Sequence, residues 1–252
     1  NTDPADSVWE AYLRWFHTQG GPLPDNTDPD HGLLAVTDLH NCRAPGLTCT
    51  GSLREGKPGT RTKPVNSSKG CGGVMRAAPA GLIATNAVDA YKLGCDIAAL
   101  THGHPTAWVA AGTLAATIHQ LTQGASPAEA VQTGLNLARH ERADNAVAES
   151  LLQAVHIAEK VEVTASDIEQ LGAGWTGEEA LAIAVACFLT DISPQQQLLL
   201  AVNHSGDSDS TGSILGNLLG ATYGFAVIPE KWREEVELKE VITAVATELA
   251  DF

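Results

Sequence analysis

Apolar residues recur along this chain at intervals of three and four, the spacing that lines one face of a helix. Residues 4–19 open on it: Asp3 can cap a first helix, Pro4 suits its first position and Gly20 ends it. Trp9, Leu13 and Phe16 form its apolar stripe. Residues 20–68 break the pattern with Pro, Gly, Asp, Thr and Asn and only short apolar runs. A connection this long is either disordered or functional. Within it RAPGLTCTGSL, residues 43–53, mixes turn residues with Leu and Cys and reads as an ordered loop at the edge of a site. Helical spacing returns at about 76–85, 87–101 and 105–122, the last rich in small residues such as Ala110, Ala111, Gly112, Ala115 and Ala116. Capping boxes then mark four starts, at Ser126–Glu129, Ser166–Glu169, Thr176–Glu179 and Ser193–Gln196. The first opens a helix to about 141; the third opens ALAIAVACFL, apolar nearly all round and so deeply buried, with Glu178 and Glu179 in a capping role. Further helices are predicted between about 144 and 160 and over 239–250, with a turn or short helix at 229–232. No segment alternates with period two, so the predicted class is all-α.

The chain is organised around residues 203–224, NHSGDSDSTGSILGNLLGATYG. Asp207, Ser208, Asp209, Ser210 and Thr211 crowd five consecutive positions ahead of an apolar helix whose Gly212, Gly216, Gly220 and Gly224 are spaced four apart. Residues four apart share a helix face, and each interior Gly costs roughly 1 kcal/mol relative to Ala. Close approach of another helix or a ligand is the expected compensation. The oxygen cluster fits two roles. Asp, Ser and Thr accept hydrogen bonds from the free N–H groups of a first turn, and carboxylate and hydroxyl oxygens are the ligands of Mg2+ and Ca2+. Aspartyl-nucleophile phosphatases need a hydrophobic strand before such a string, which the helical lead-in LLLAVNHSG does not supply.

Charge narrows the partners. Thirty acidic against fifteen basic residues give a net −15, which disfavours nucleic acid and anionic membranes. No apolar run approaches the ~18 residues of a membrane span, and the opening NTDPADS is no signal peptide. The odd and scattered Cys42, Cys49, Cys71, Cys95 and Cys187 include no C-x-x-C pair and read as the reduced thiols of a cytoplasmic protein. A phosphate ester bound by so acidic a chain needs local positive potential from a metal, backbone N–H groups or a few cations. SSKGCGGVMRAAP, residues 67–79, offers such N–H groups: Gly70, Gly72 and Gly73 beside Lys69 and Arg76, ahead of a helix. The alternative is an ordinary flexible turn. His102 and His104 could be a ligand pair or could satisfy a helix end; no third His or Cys lies near them for zinc.

Taken in order, AYLRWFHTQG (11–20), RAPGLTC (43–49), SKGCGGVMRAAP (68–79), LTHGHP (100–105), GWTGEEALAIAVACFL (174–189) and NHSGDSDSTGSILGNLLGA (203–221) resemble the ADP-ribosylglycohydrolase family, which includes the hydrolase that reactivates ADP-ribosylated dinitrogenase reductase. The resemblance implies one all-α domain over residues 1–252, a compact orthogonal multi-helix bundle with a magnesium pair at the floor of a cleft. It implies hydrolysis of the N- or O-glycosidic bond between ADP-ribose and an acceptor, arginine first, on a protein or small-molecule substrate. By the same resemblance Asp207, Asp209 and Ser210 are metal ligands for Mg2+ or Mn2+, and Asp207 and Asp209 are catalytic through a metal-held water. Gly70, Cys71, Gly72, Gly73 and Val74 become a cradle for ribose and pyrophosphate, and His102 a ribose or phosphate contact.

One departure bears on activity. The family carries a second metal-ligand group, a Ser/Thr-Asp-Asp-Thr string, ahead of the first matching segment, and this sequence has no Asp-Asp pair. Three explanations stay open: a truncated product, a separate chain that supplies the fragment as a partner, or a protein that kept the fold and lost catalysis. The last gives a non-catalytic ADP-ribose-binding or structural protein as the alternative function. A hydrolase of another N-glycoside or nucleotide-sugar is a third reading.

Overall fold

The computed structural model describes residues 3–141 and 145–251, and the described residues form thirteen α-helices and no strand. They are α1 (Pro4–Thr18), α2 (Leu47–Arg54), α3 (Ala78–Ile83), α4 (Ala87–Ala99), α5 (Pro105–Thr122), α6 (Pro127–His140), α7 (Ala146–Ala158), α8 (Ala165–Ile168), α9 (Gly177–Leu189), α10 (Pro194–Val202), α11 (Ser208–Tyr223), α12 (Glu230–Glu235) and α13 (Lys239–Ala250). The helix expected from about 144 begins at Ala146, and 142–144 lie outside the described residues.

Two helices without a polar face, α5 and α9, form the centre. α3, α4, α6 and α11 pack around α5, while α7, α10 and α11 pack on α9. Leu114, Leu181, Ile183, Leu215 and Leu218 are wholly buried between them, each worth roughly 1.5–3 kcal/mol over exposure. The most extensive packing is α4 on α5, and glycine permits their close approach. A Cβ on Gly94 would lie 2.8 Å from the Ala111 carbonyl oxygen, and one on Gly112 2.4 Å from Cys95 Sγ. A second, smaller core joins the stripe of α1, through Trp9 and Phe16, to Leu53 of α2 and to Ala90 and Ile97 of α4.

Several local expectations need correction. Residues 43–53 are not all loop: Leu47 onward is α2, a short helix with a weakly apolar face, which is why the pattern hid it. The capping box expected at Ser166 is formed by Thr164 and Asp167, because the helix starts at Ala165. Thr176 holds the N-cap position of α9 but makes no side-chain cap bond, so Glu178 has no capping box to complete. The boxes at Ser126 and Ser193 form as expected. The glycine stripe of α11 has one close neighbour: a Cβ on Gly212 would lie 2.7 Å from Val202, whereas Gly216 and Gly220 face open space and Gly224 is the helix C-cap at φ +77°. No described helix is long and apolar enough to cross a membrane, and all five cysteines are free.

Candidate active site

Asp207 sits at the N-cap position of α11, yet its carboxylate caps nothing. It turns instead to the glycine turn, where Cys71 Sγ lies 2.9 Å from Asp207 Oδ2. Ser210 donates to Cys71 Sγ at 3.4 Å and stands 3.6 Å from Met75 Sδ. The organising stretch and the glycine turn, 136 residues apart in sequence, thus meet at one point. Asp209, two residues on, is exposed and hydrogen-bonds to Asp207 through its carboxyl.

The electrostatics follow from that contact. Burial works against an ionised Asp207, but hydrogen bonds from Asp209, Cys71 and Ser210 hold its carboxyl below the usual range. The hydrogen bond to Asp207, burial and the Asp207 charge raise Asp209. The contact therefore drives the two carboxyls apart, with Asp207 the easier of the pair to ionise. Burial and the bond to Asp207 push the Cys71 thiol up to about 12, so it stays protonated and donates. Neither carboxyl has a Lys or Arg ion pair among the described residues. Two converging carboxyls and the Ser210 hydroxyl, without a basic partner, are a hard-oxygen donor set of the kind Mg2+ and Mn2+ take. Among the described residues no group of three or more His, Cys, Asp or Glu is placed to hold a metal ion, so the pair and Ser210 make at most part of a site.

Local sequence explains how the pair is held. The Asp207 N–H donates to the Ala173 carbonyl at 2.7 Å. His204, buried, accepts from the Gly206 N–H at Nδ1, so the proton lies on Nε2 and points to Thr211 Oγ1 at 3.0 Å. The Thr211 hydroxyl donates in turn to the Ala201 carbonyl at 2.7 Å, joining the end of α10 to the start of α11. Thr211 is therefore a brace rather than a cap. His204 escaped the sequence reading, since a lone His in a loop carries no signal of its own.

The glycine turn is fixed to the start of α9. Gly70 bridges Thr176, the Cys71 N–H donates to the Trp175 carbonyl at 3.1 Å, and the Gly177 N–H donates to the Lys69 carbonyl at 2.8 Å. Gly70 N–H goes to Ser68 Oγ, and those of Val74 and Met75 go to the Cys71 carbonyl. A phosphate at this turn would have to use the remaining N–H groups, so the cradle is narrower than the glycine count implies. Gly73 and Val74 are buried beneath it. His102 is 1% exposed and lies behind the turn: a Cβ on Gly72 would be 3.3 Å from its ring. Its Nδ1 is 2.8 Å from Thr101 Oγ1, and burial, with Arg76 nearby, pushes its pKa down to about 3. In this arrangement His102 shapes the turn. His104 takes the helix-end role, accepting the Thr106 N–H at the start of α5.

The two cations of the turn are engaged by groups of the protein itself. Arg76 spans Cys49 Sγ and Thr101 Oγ1, with its guanidinium 4.2 Å from the centre of the Tyr12 ring. Lys69 Nζ pairs with Glu178 Oε1 at 2.8 Å. Glu178 is thus an anchor for the turn rather than a cap, and its Oε2 and Thr176 Oγ1 are buried without a hydrogen-bond partner. Thr48 of α2 reaches Ser68 at 3.0 Å, which places residues 43–53 beside the turn, as expected for a site edge.

The profile of one family, described as ADP-ribosylglycohydrolase, matches residues 1–251. The chain belongs to the ADP-ribosylglycohydrolase family. Among curated relatives, this glycohydrolase-family chain is 26% identical to the ADP-ribosyl-[dinitrogen reductase] glycohydrolase of Rhodospirillum rubrum, over 89% of this chain and 77% of that protein. It is 25% identical to the human ADP-ribosylhydrolase ARH3, over 72% of this chain and 58% of that protein. The chain therefore spans little more than half the length of the ARH3 relatives. A solved structure described as an ADP-ribosylglycohydrolase-related protein complex superposes with TM-score 0.63 at 24% identity, over 98% of this chain and 73% of that one. The all-α architecture is that of the family.

Proposed function

We propose that this chain carries the α11 half of a magnesium-dependent site that hydrolyses the glycosidic bond between ADP-ribose and a modified acceptor. The observation that carries the reading is the junction of Cys71 in the glycine turn with the Asp207–Asp209 pair. Asp207, Asp209 and Ser210 would hold the cation, Mg2+ or Mn2+, with a second ion expected in a full family member. The bound ion supplies neutralisation of the diphosphate and acidification of a water. The chain's own residues do the rest. The turn from Gly70 to Val74, stiffened from behind by His102 and anchored by Lys69 to Glu178, would meet ribose and pyrophosphate through Gly72 and Gly73, since the N–H groups of Gly70, Cys71 and Val74 are bonded within the protein. Arginine is the proposed acceptor: its guanidinium is a cation, and a chain of net charge −15 favours a cationic group over an anionic one.

The test is ADP-ribose release from an ADP-ribosyl-arginine peptide, with Mg2+ and with EDTA, beside ADP-ribosyl-serine and free nucleotide sugars. Release from the arginine peptide that EDTA abolishes is expected. Equal release in EDTA would overturn the metal-dependent reading, and preference for another linkage would reassign the acceptor. The missing Asp-Asp pair favours a second reading, ADP-ribose binding without turnover. Calorimetric binding of ADP-ribose, with no release even after an N-terminal segment from a relative is added, would establish it.

A further inference from the structure

We propose that Cys71 is a positioning residue whose S–H fixes the Asp207 carboxylate for cation binding; this rests on the cation reading above. The argument begins with what Asp207 lacks. A carboxylate at the head of a helix ordinarily turns back to cap it, and this one makes no such bond. A side chain freed from its cap needs another constraint if it is to face a ligand reproducibly. Cys71 Sγ, 2.9 Å from Oδ2, supplies it, beside the hydrogen bonds from Asp209 and Ser210. The sulfur is itself held. Its backbone N–H is tied to the Trp175 carbonyl, and Ser210 donates to it at 3.4 Å. Ser210 would thus serve both as a ligand of the proposed ion and as a partner of the thiol that orients Asp207. Partners that orient a metal's ligands are worth about 10–100-fold in metal affinity, and Cys71 has the geometry of one.

The contact makes binding sensitive to chemistry at one atom. Removing the S–H frees the Asp207 carboxylate to rotate toward the open N–H groups of its own helix, the capping arrangement its sequence favours. The cation site then loses its buried carboxylate ligand.

The experiment measures Mn2+ affinity of the 252-residue chain by electron paramagnetic resonance, which needs no turnover. Cys71→Ala is expected to weaken Mn2+ about tenfold. Cys71→Ser, which keeps a donor at the same place, should restore affinity to within about threefold of the parent. Cys71→Val keeps the bulk without the donor and serves if the alanine variant misfolds; it should weaken binding as alanine does. Thermal melts run in parallel. A purely structural role would shift the melts and leave Mn2+ affinity alone. Parent-like affinity in folded Cys71→Ala or Cys71→Val overturns the proposal while leaving the cation reading intact. Failure of the parent itself to bind Mn2+ overturns both, and ADP-ribose binding then judges the family activity separately.

Discussion

Gly206 lies so close to Ala173 that a Cβ added to it would sit 1.9 Å from the Ala173 carbonyl oxygen. The next residue donates its N–H to that same oxygen at 2.7 Å, and the next residue is Asp207. The position of the carboxylate pair therefore depends on a glycine that contributes no chemistry. Gly206→Ala must push the 203–207 turn away from the approach to α9. Overpacking of this kind costs about 1–3 kcal/mol. A lower urea midpoint is expected together with weakened Mn2+ binding; unchanged Mn2+ affinity would show that Asp207 is held by other contacts.

Glycines elsewhere divide by what faces them. At Gly112 the helix-propensity gain of alanine, about 1 kcal/mol, is set against a Cβ 2.4 Å from Cys95 Sγ and 2.6 Å from the Tyr91 carbonyl oxygen. Backbone cannot move aside cheaply, so Gly112→Ala should destabilise by about 1–3 kcal/mol. Gly216→Ala and Gly220→Ala meet no atom within 4 Å and should each stabilise by up to about 1 kcal/mol. Thermal denaturation of the three variants gives the sign directly.

His102 should make stability fall with acid. Its pKa drops from 6.5 to about 3 on folding, because burial and the facing Arg76 exclude the charged ring. Above about 6.5 neither state binds the proton and nothing is lost. Between 6.5 and 3 the unfolded chain binds a proton that the folded chain refuses, so stability declines toward a slope of about 1.4 kcal/mol per pH unit. His102→Gln removes this contribution. Urea titrations from pH 7 to 4 should therefore show a flatter profile for the variant than for the parent; parallel profiles would place the proton uptake on other groups.

Lys69 and Glu178 test the anchoring of the glycine turn. The Glu178 side chain is 9% exposed and the Lys69 side chain 49%. Lys69→Met leaves a buried carboxylate without the cation 2.8 Å away. Half-exposure of the lysine discounts the loss to about 1–2 kcal/mol. The double variant Lys69→Met with Glu178→Gln removes the stranded charge and should recover part of it. A double variant no better than the single would mean that the carboxylate is satisfied by other groups.

Helices and their order were legible because their signals are local. Pro105 after His104 and the box at Ser126 mark starts that the structure keeps, and 239–250 is found as α13. The errors also have local causes. α2 lacks a strong apolar face, and Thr164, not Ser166, precedes the first residue with helical geometry. The oxygen cluster was legible as chemistry, but its role was not, because a capping Asp and a ligand Asp have the same sequence signature.

By itself the sequence determined an all-α chain, an acidic surface, two polar motifs and a likeness to a family, since these depend on periodicity, composition and neighbours along the chain. Tertiary structure alone decided which groups meet. Cys71 faces Asp207 across 136 residues, Glu178 leaves the cap of α9 for Lys69, and His102 lies behind the turn rather than along the chain from it. Each of those outcomes depends on how α5, α9 and α11 pack, and packing distances are set by side-chain volumes summed over the whole core, which no local pattern encodes.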